Sequence, residues 1–204
     1  MLKQRGILVA IEGIDGAGKT TQATLLERRL RDEGVAVLRT REPTDRPWGR
    51  RLRESAATGR LPVEQEYHYF LEDRKQHVTE EIQPALDAGT VVIIDRYYFS
   101  SMAYQGARGL DPAMIRETNE AIAPRPDLFV HLDLDVATAM PRIAARDGRG
   151  NLFEQEEDLR RSGDIFRKIE GDWVLRLDAT APTDALAEAI YARVAAVRKN
   201  ASIT

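Results

Sequence analysis

The chain has 204 residues, enough for one domain with a sizeable core, and its 43% apolar and 31% charged content suits a water-exposed globule. A net charge of −3 argues against broad nucleic-acid binding, which wants a strongly basic surface. With no cysteine, disulfides and thiolate metal sites are excluded, and no run approaches the ~20 apolar residues of a membrane-spanning helix.

In chain order, short apolar runs alternate with helical patterns. Ile7–Glu12 reads as a strand rather than a signal peptide, because its apolar run stops at Glu12 with no cleavage-like tail. Gly18–Asp32 reads as a helix stopped by Gly34, and Val35–Thr40 as a second strand running into Arg41-Glu42-Pro43-Thr44. A short helix is expected over Trp48–Ala57, then a long helical pattern from Pro62 to about Ala88, kinked or broken at Pro84. Val91–Ile94 is a continuous apolar run, the mark of a strand covered on both faces, and it ends in Asp95-Arg96. Helices follow over Ser100–Gln105 and Pro112–Ile122, then an alternating strand over Leu128–Leu134. Val136–Arg146 is helical but contains Pro141, so it either starts late or bends. A Gly- and Arg-bearing loop over Asp147–Leu152 leads to a charged helix over Phe153–Glu170. A fifth strand over Trp173–Leu177 and an amphipathic helix over Pro182–Arg198 complete the pattern, with no internal repeat.

Five strands separated by helices predict a three-layer α/β/α domain built on a five-stranded parallel sheet. Ligands of such sheets sit at the carboxyl ends of the strands. That rule selects Glu12–Thr21, Arg41-Glu42, Asp95-Arg96 and Asp133–Asp135, every one of them charged. The first is the most specific. Gly13-Ile14-Asp15-Gly16-Ala17-Gly18-Lys19-Thr20-Thr21 has the Gly-x-x-x-x-Gly-Lys-Thr spacing between a strand and a helix. Glycines let successive N–H groups turn inward around an anion, and the helix adds its positive end. Lys19 then reaches the β- and γ-phosphates of a nucleoside triphosphate, and Thr20 presents a hydroxyl to Mg²⁺. Asp95, ending a buried strand, is a second candidate for the metal, its alternative role being a helix cap or a structural partner for an arginine. Arg41, Arg96, Arg142, Arg146 and Arg149 recur around the same pole, and guanidinium groups match phosphate geometry.

Beyond the glycine loop, further blocks recur: Arg41-Glu42-Pro43, Phe70-Leu71-Glu72-Asp73-Arg74 with His77-Val78, Asp95-Arg96-Tyr97, Ala103-Tyr104-Gln105-Gly106 and Leu132-Asp133. With them the chain resembles, over nearly its whole length, the bacterial thymidylate kinases, members of the nucleoside-monophosphate kinase group. The resemblance implies a single domain over residues 1–204 with a small lid at about 142–154. It implies ATP and dTMP as small-molecule substrates, Mg²⁺ and a homodimer, while charge and composition make a cytoplasmic enzyme with no nucleic-acid or membrane partner the default expectation. By the same resemblance Gly13, Ile14, Asp15, Gly16, Ala17, Gly18, Lys19, Thr20 and Thr21 hold the ATP phosphates, and Arg142 lies against the adenine, bordered by Asp178-Ala179-Thr180. Arg41 and Arg96 clamp the monophosphate, Phe70 stacks on the pyrimidine, and Arg74 bonds to the base or pairs nearby. Ser101, Tyr104 and Gln105 line base and sugar. Asp15 reaches the acceptor's sugar hydroxyl or the phosphate region. Because the glycine loop carries no arginine, Arg146 and Arg149 of the lid become the catalytic cations beside Lys19 and Arg96. One stretch departs from the family: Arg-Glu-Pro is usually followed by Gly-Gly-Thr, and here by Thr44-Asp45-Arg46-Pro47-Trp48-Gly49. Two other readings stand beside this one: a deoxynucleoside kinase using Asp15, Glu42 or Asp95 as base, and a phosphate-loop switch.

Overall fold

The computed structural model describes residues 5–147 and 152–201. A five-stranded, all-parallel sheet in the order β2-β3-β1-β4-β5 is built from β1 (Leu8–Glu12), β2 (Val37–Arg41), β3 (Val91–Asp95), β4 (Leu128–Asp133) and β5 (Val174–Asp178). The apolar runs account for this order. β1 and β3 are buried along their whole length and sit inside the sheet, whereas β2 and β5 alternate between half-buried and exposed residues and form its edges. β4 also sits inside and is buried from Leu128 to Leu132, so its expected alternation does not correspond to one wet face. His131 is the polar residue that interrupts its apolar run, and it is buried too.

Helices cover both faces. On one face α1 (Lys19–Asp32) packs against α9 (Thr183–Ala201), burying Ala23, Leu26 and Leu30. On the other, α5 (Tyr98–Ala107) packs against α3 (Val63–His77), α6 (Pro112–Glu120) and α8 (Leu152–Arg167). Between β2 and α3 lies α2 (Pro47–Thr58), packed on α3. Phe99, Phe129 and Trp173 meet in edge-on and tilted ring contacts between α5 and the sheet.

Both internal prolines are accommodated without a break. Ahead of Pro84 the helix widens into a π-turn, Val78–Ile82, in which Gln83 N–H donates to Val78 C=O, and α4 (Gln83–Asp87) continues from it. Proline lacks the N–H that an α-turn would use and its ring crowds the carbonyl four residues back, which a wider turn relieves. Pro141 lies inside α7 (Val136–Asp147), which begins at Val136 because the Asp135 carboxylate accepts from Thr138 N and Oγ1. A late start is therefore ruled out.

Strand register places the chemistry. Parallel pairing sets Arg41 beside Asp95, Asp95 beside Ile11, Glu12 beside His131, and Asp133 beside Asp178. The charged residues that end each strand thus form one polar pole.

Candidate active site

The phosphate loop joins β1 to α1 with the geometry its glycines predict. Gly13 has φ +146°, and a Cβ there would stand 2.5 Å from the Leu132 carbonyl oxygen, so only glycine lets the loop lie against β4. Ile14 and Ala17 are buried and anchor the loop into the core. Lys19 folds across the turn, donating from Nζ to the Gly13 (3.0 Å) and Ile14 (2.8 Å) carbonyls. Burial pulls its ammonium down to about 8, with Arg96 adding repulsion and Asp15, Asp95 and Glu12 opposing the shift. Thr20 Oγ1 donates to Asp95 Oδ2 at 2.5 Å. Exposed Arg142 reaches over the loop from α7, Nη1 to Gly16 O at 3.1 Å. A cavity of about 450 Å³ opens between the loop and the end of β2, lined by Gly16, Gly18, Lys19, Thr20, Thr21, Arg41 and Asp95 among others.

A second cavity of similar size, about 450 Å³, lies between α2, α3 and α5. Phe70, Arg74, Tyr104 and Gln105 line it together with Arg53, Glu66, Tyr97 and Ser100. Asp15, Glu42, Pro43, Arg53 and Arg96 line both cavities. Arg96 is the hinge of this arrangement. It is the non-glycine residue with positive φ (+68°) among those described, a backbone cost of ~1–3 kcal/mol that the surroundings must hold in place. Its guanidinium bonds to Asp15, reaches Ser100 Oγ at 3.3 Å and lies 5.1 Å from the centre of the Tyr104 ring. Burial works against its charge, but Tyr104 and Asp15 more than offset this and raise its pKa further.

Behind these walls sit two buried carboxylates. Glu42 follows β2 and accepts from Arg74 Nε (2.9 Å) and Nη2 (2.6 Å), while its other oxygen meets His77 Nδ1 at 3.1 Å. Burial favours the protonated carboxyl, yet Arg74 and His77 prevail and hold it below the ordinary carboxylate value. The Glu42–Pro43 peptide is cis. Among the described residues no cation bonds directly to Glu12. It accepts from Tyr97 N (2.7 Å), Ser100 N (3.2 Å) and Ser100 Oγ (2.6 Å), and desolvation lifts it to about 7 despite those bonds. The start of α5 is thus hung from the end of β1.

The structure brings most of the expected site residues together. Asp15, Gly16, Gly18, Lys19, Thr20, Thr21, Arg41, Asp95 and Arg96 converge on the first cavity, and Phe70, Arg74, Tyr104 and Gln105 on the second. Arg74 lines the cavity but is buried, its three guanidinium nitrogens taken up by Glu42, Asn119 and Ser101. Ser101 does not line this cavity. One residue along α5, Ser100 faces the cavity, while buried Ser101 accepts from Arg74 Nη2 at 3.3 Å. A helical step of 100° separates the two, and the sequence block carries both serines without a phase. Asp178 and Thr180 border a third opening with Asp133 and Arg167. Arg149 lies outside the described residues, as does the Arg146 side chain, although its backbone belongs to α7. Sequence reasoning missed Arg53, Glu66, Tyr97 and the anchoring role of Glu12. For Glu12 a signal existed: like Asp95, it is a carboxylate closing a strand buried on both faces. Arg53 and Glu66 lie on helices and have no such marker.

Comparison with known proteins bears on the whole chain. The family described as thymidylate kinase matches residues 11–190. A thymidylate kinase of Akkermansia muciniphila is 47% identical over 192 residues, covering 94% of this chain and 91% of its own. One from Xanthomonas oryzae pv. oryzae is 46% identical over 195 residues, covering 96% and 86%, and one from Xanthomonas campestris pv. campestris is 46% identical over 191 residues, covering 94% and 84%. With a phosphate loop, two joined cavities and these likenesses along its length, the chain belongs to the thymidylate kinase family.

Proposed function

We propose that this protein transfers the γ-phosphoryl group of ATP to the phosphate of dTMP, giving ADP and dTDP. The observation that carries this reading is the shared wall: Asp15, Glu42, Pro43, Arg53 and Arg96 belong to both cavities, so two phosphorylated ligands would meet end to end across them. ATP phosphates would lie on the loop from Gly13 to Thr21, with Arg142 on the adenine side. The acceptor's base would stack on Phe70 beside Arg74 and Gln105, with Tyr104 near the sugar and its phosphate toward Arg41 and Arg96.

A phosphate monoester has its second pKa near ~6 and is already mostly dianionic at pH 7, so no general base is required. The likeness to thymidylate kinases along the chain favours this acceptor over a nucleoside hydroxyl, which would need a carboxylate base. Catalysis then rests on alignment and charge neutralisation by Lys19, Arg96 and the lid arginines Arg146 and Arg149.

The residues present fit a magnesium ion. Thr20 and Asp95 offer adjacent hard oxygen donors, and among the described residues no group of three or more His, Cys, Asp or Glu could cage a cation by itself. That suits an ion bound largely through nucleotide phosphates. When bound, it supplies neutralisation of the phosphate oxygens. A homodimer, from the family resemblance, and a cytoplasmic location, the default for this composition, belong to the same proposal. Among the described residues no helix is long and apolar enough to cross a membrane.

Coupled ADP release, measured across nucleoside monophosphates and thymidine, tests the reading. The highest kcat/KM is expected with dTMP, and turnover of thymidine but not dTMP would overturn it.

A further inference from the structure

The loop after β2 sets a carboxylate, Asp45, against two arginines that line the cavities. Asp45 Oδ1 accepts from Arg53 Nη2 at 2.7 Å and faces Arg41 Nη2 at 3.5 Å. Both arginines line the phosphate-loop cavity, and Arg53 lines the acceptor cavity as well. Arg53 is further fixed by Nη1, which donates to the Pro43 carbonyl at 2.9 Å. One carboxylate oxygen thus engages two guanidinium groups, the donor type that matches a phosphate oxygen.

Its surroundings are stiff and the carboxylate itself is loose. Thr44 N and Oγ1 both bond to buried Asp73, at 2.8 and 2.6 Å, and Gly49 N bonds to the same carboxylate at 3.1 Å. The loop is therefore pinned on either side of position 45. The Asp45 side chain, by contrast, is 77% exposed, and among the described residues its ion pairs are with these two arginines. Exposed pairs of this kind contribute little and are easily exchanged.

We propose that Asp45 is an internal competitor of the acceptor phosphate. It occupies Arg41 and Arg53 in the free protein and yields to a dianion, which gains more from two guanidinium groups than a single carboxylate does. Uncharged nucleosides cannot displace it. The proposal rests on the acceptor phosphate binding against Arg41 and Arg53.

Asp45→Asn, which keeps shape and removes charge, tests it by steady-state kinetics with dTMP and by competitive inhibition with inorganic phosphate. Freeing an exposed pair predicts that KM for dTMP and Ki for phosphate both fall about two- to fivefold, with KM moving more than kcat. Asp45→Glu, which keeps the charge, should lower KM less than Asp45→Asn does, and the effect of Asp45→Asn should shrink in an Arg53→Gln background, where the Arg41 contact remains. An unchanged or higher KM in Asp45→Asn overturns the proposal. If Arg41→Ala raises KM while Asp45→Asn leaves it unchanged, the acceptor-site assignment survives and only the competitor role falls. Should neither variant move KM, both fall together.

Discussion

Glu12 is the buried charge whose cost can be measured most directly. Its carboxylate is fully enclosed at the end of β1, and burial lifts it from an ordinary 4.5 to about 7. The folded protein therefore holds a proton between those two values that the unfolded chain has released, and stability from this group falls as pH rises through that window. The whole shift corresponds to about 3 kcal/mol, of which about 2–3 kcal/mol is expressed between pH 5 and 8. Glu12→Gln removes the titration. Its amide carbonyl can still accept from Tyr97 N and Ser100 N, and its NH₂ can donate to Ser100 Oγ. The wild-type curve alone would mislead, because buried His131 acts in the opposite sense. Desolvation lowers it from 6.5 to about 4, so its contribution to stability rises with pH over the same range. Lys19, lowered to about 8, contributes mainly above that pH. Urea denaturation of both proteins at pH 5, 6, 7 and 8, without nucleotide, isolates Glu12 as the difference. The variant should gain about 2–3 kcal/mol relative to wild type from pH 5 to pH 8. Parallel stability curves would refute the reasoning.

Removing Arg74 as Arg74→Ala should cost about 3–5 kcal/mol in urea denaturation, because Glu42 is left buried without its main partner; a loss below about 1 kcal/mol would count against that pairing. Gly49→Ala should cost about 1–3 kcal/mol, since its Cβ would fall 2.0 Å from the Thr44 carbonyl oxygen in a loop that Asp73 holds in place. The same variant should raise KM for dTMP more than it lowers kcat, which initial-rate kinetics will show. Arg146→Ala or Arg149→Ala should lower kcat on the order of 10³-fold with little change in KM for dTMP; kcat values equal to wild type in both would remove the lid from the mechanism.

How far such a site is legible depends on the range of the interaction. The glycine loop is encoded locally: spacing, flanking strand and following helix are all neighbours in sequence, and the φ of Gly13 confirms a conformation that glycine permits. Arg41, Asp95 and Arg96 were also readable, because the first two close strands, the third follows one, and parallel strands present their carboxyl ends on one side. Ser100 and Ser101 mark the limit. Both lie in the recognisable block, and only the packing of α5 on α8 and α3 decides which one faces the cavity.

By itself, then, the order of residues determined the parallel sheet, its polar pole and the presence of a phosphate loop, since these follow from hydrophobic periodicity and turn chemistry within short windows. Tertiary structure decided which charges meet. Arg74 with Glu42, Arg96 with Asp15, and Arg53 with Asp45 pair residues carried by different elements or separated by a turn of helix, and strand register and helix rotation bring them together. Coulomb and desolvation energies depend on distance and burial in space, and neither can be read from separation along the chain.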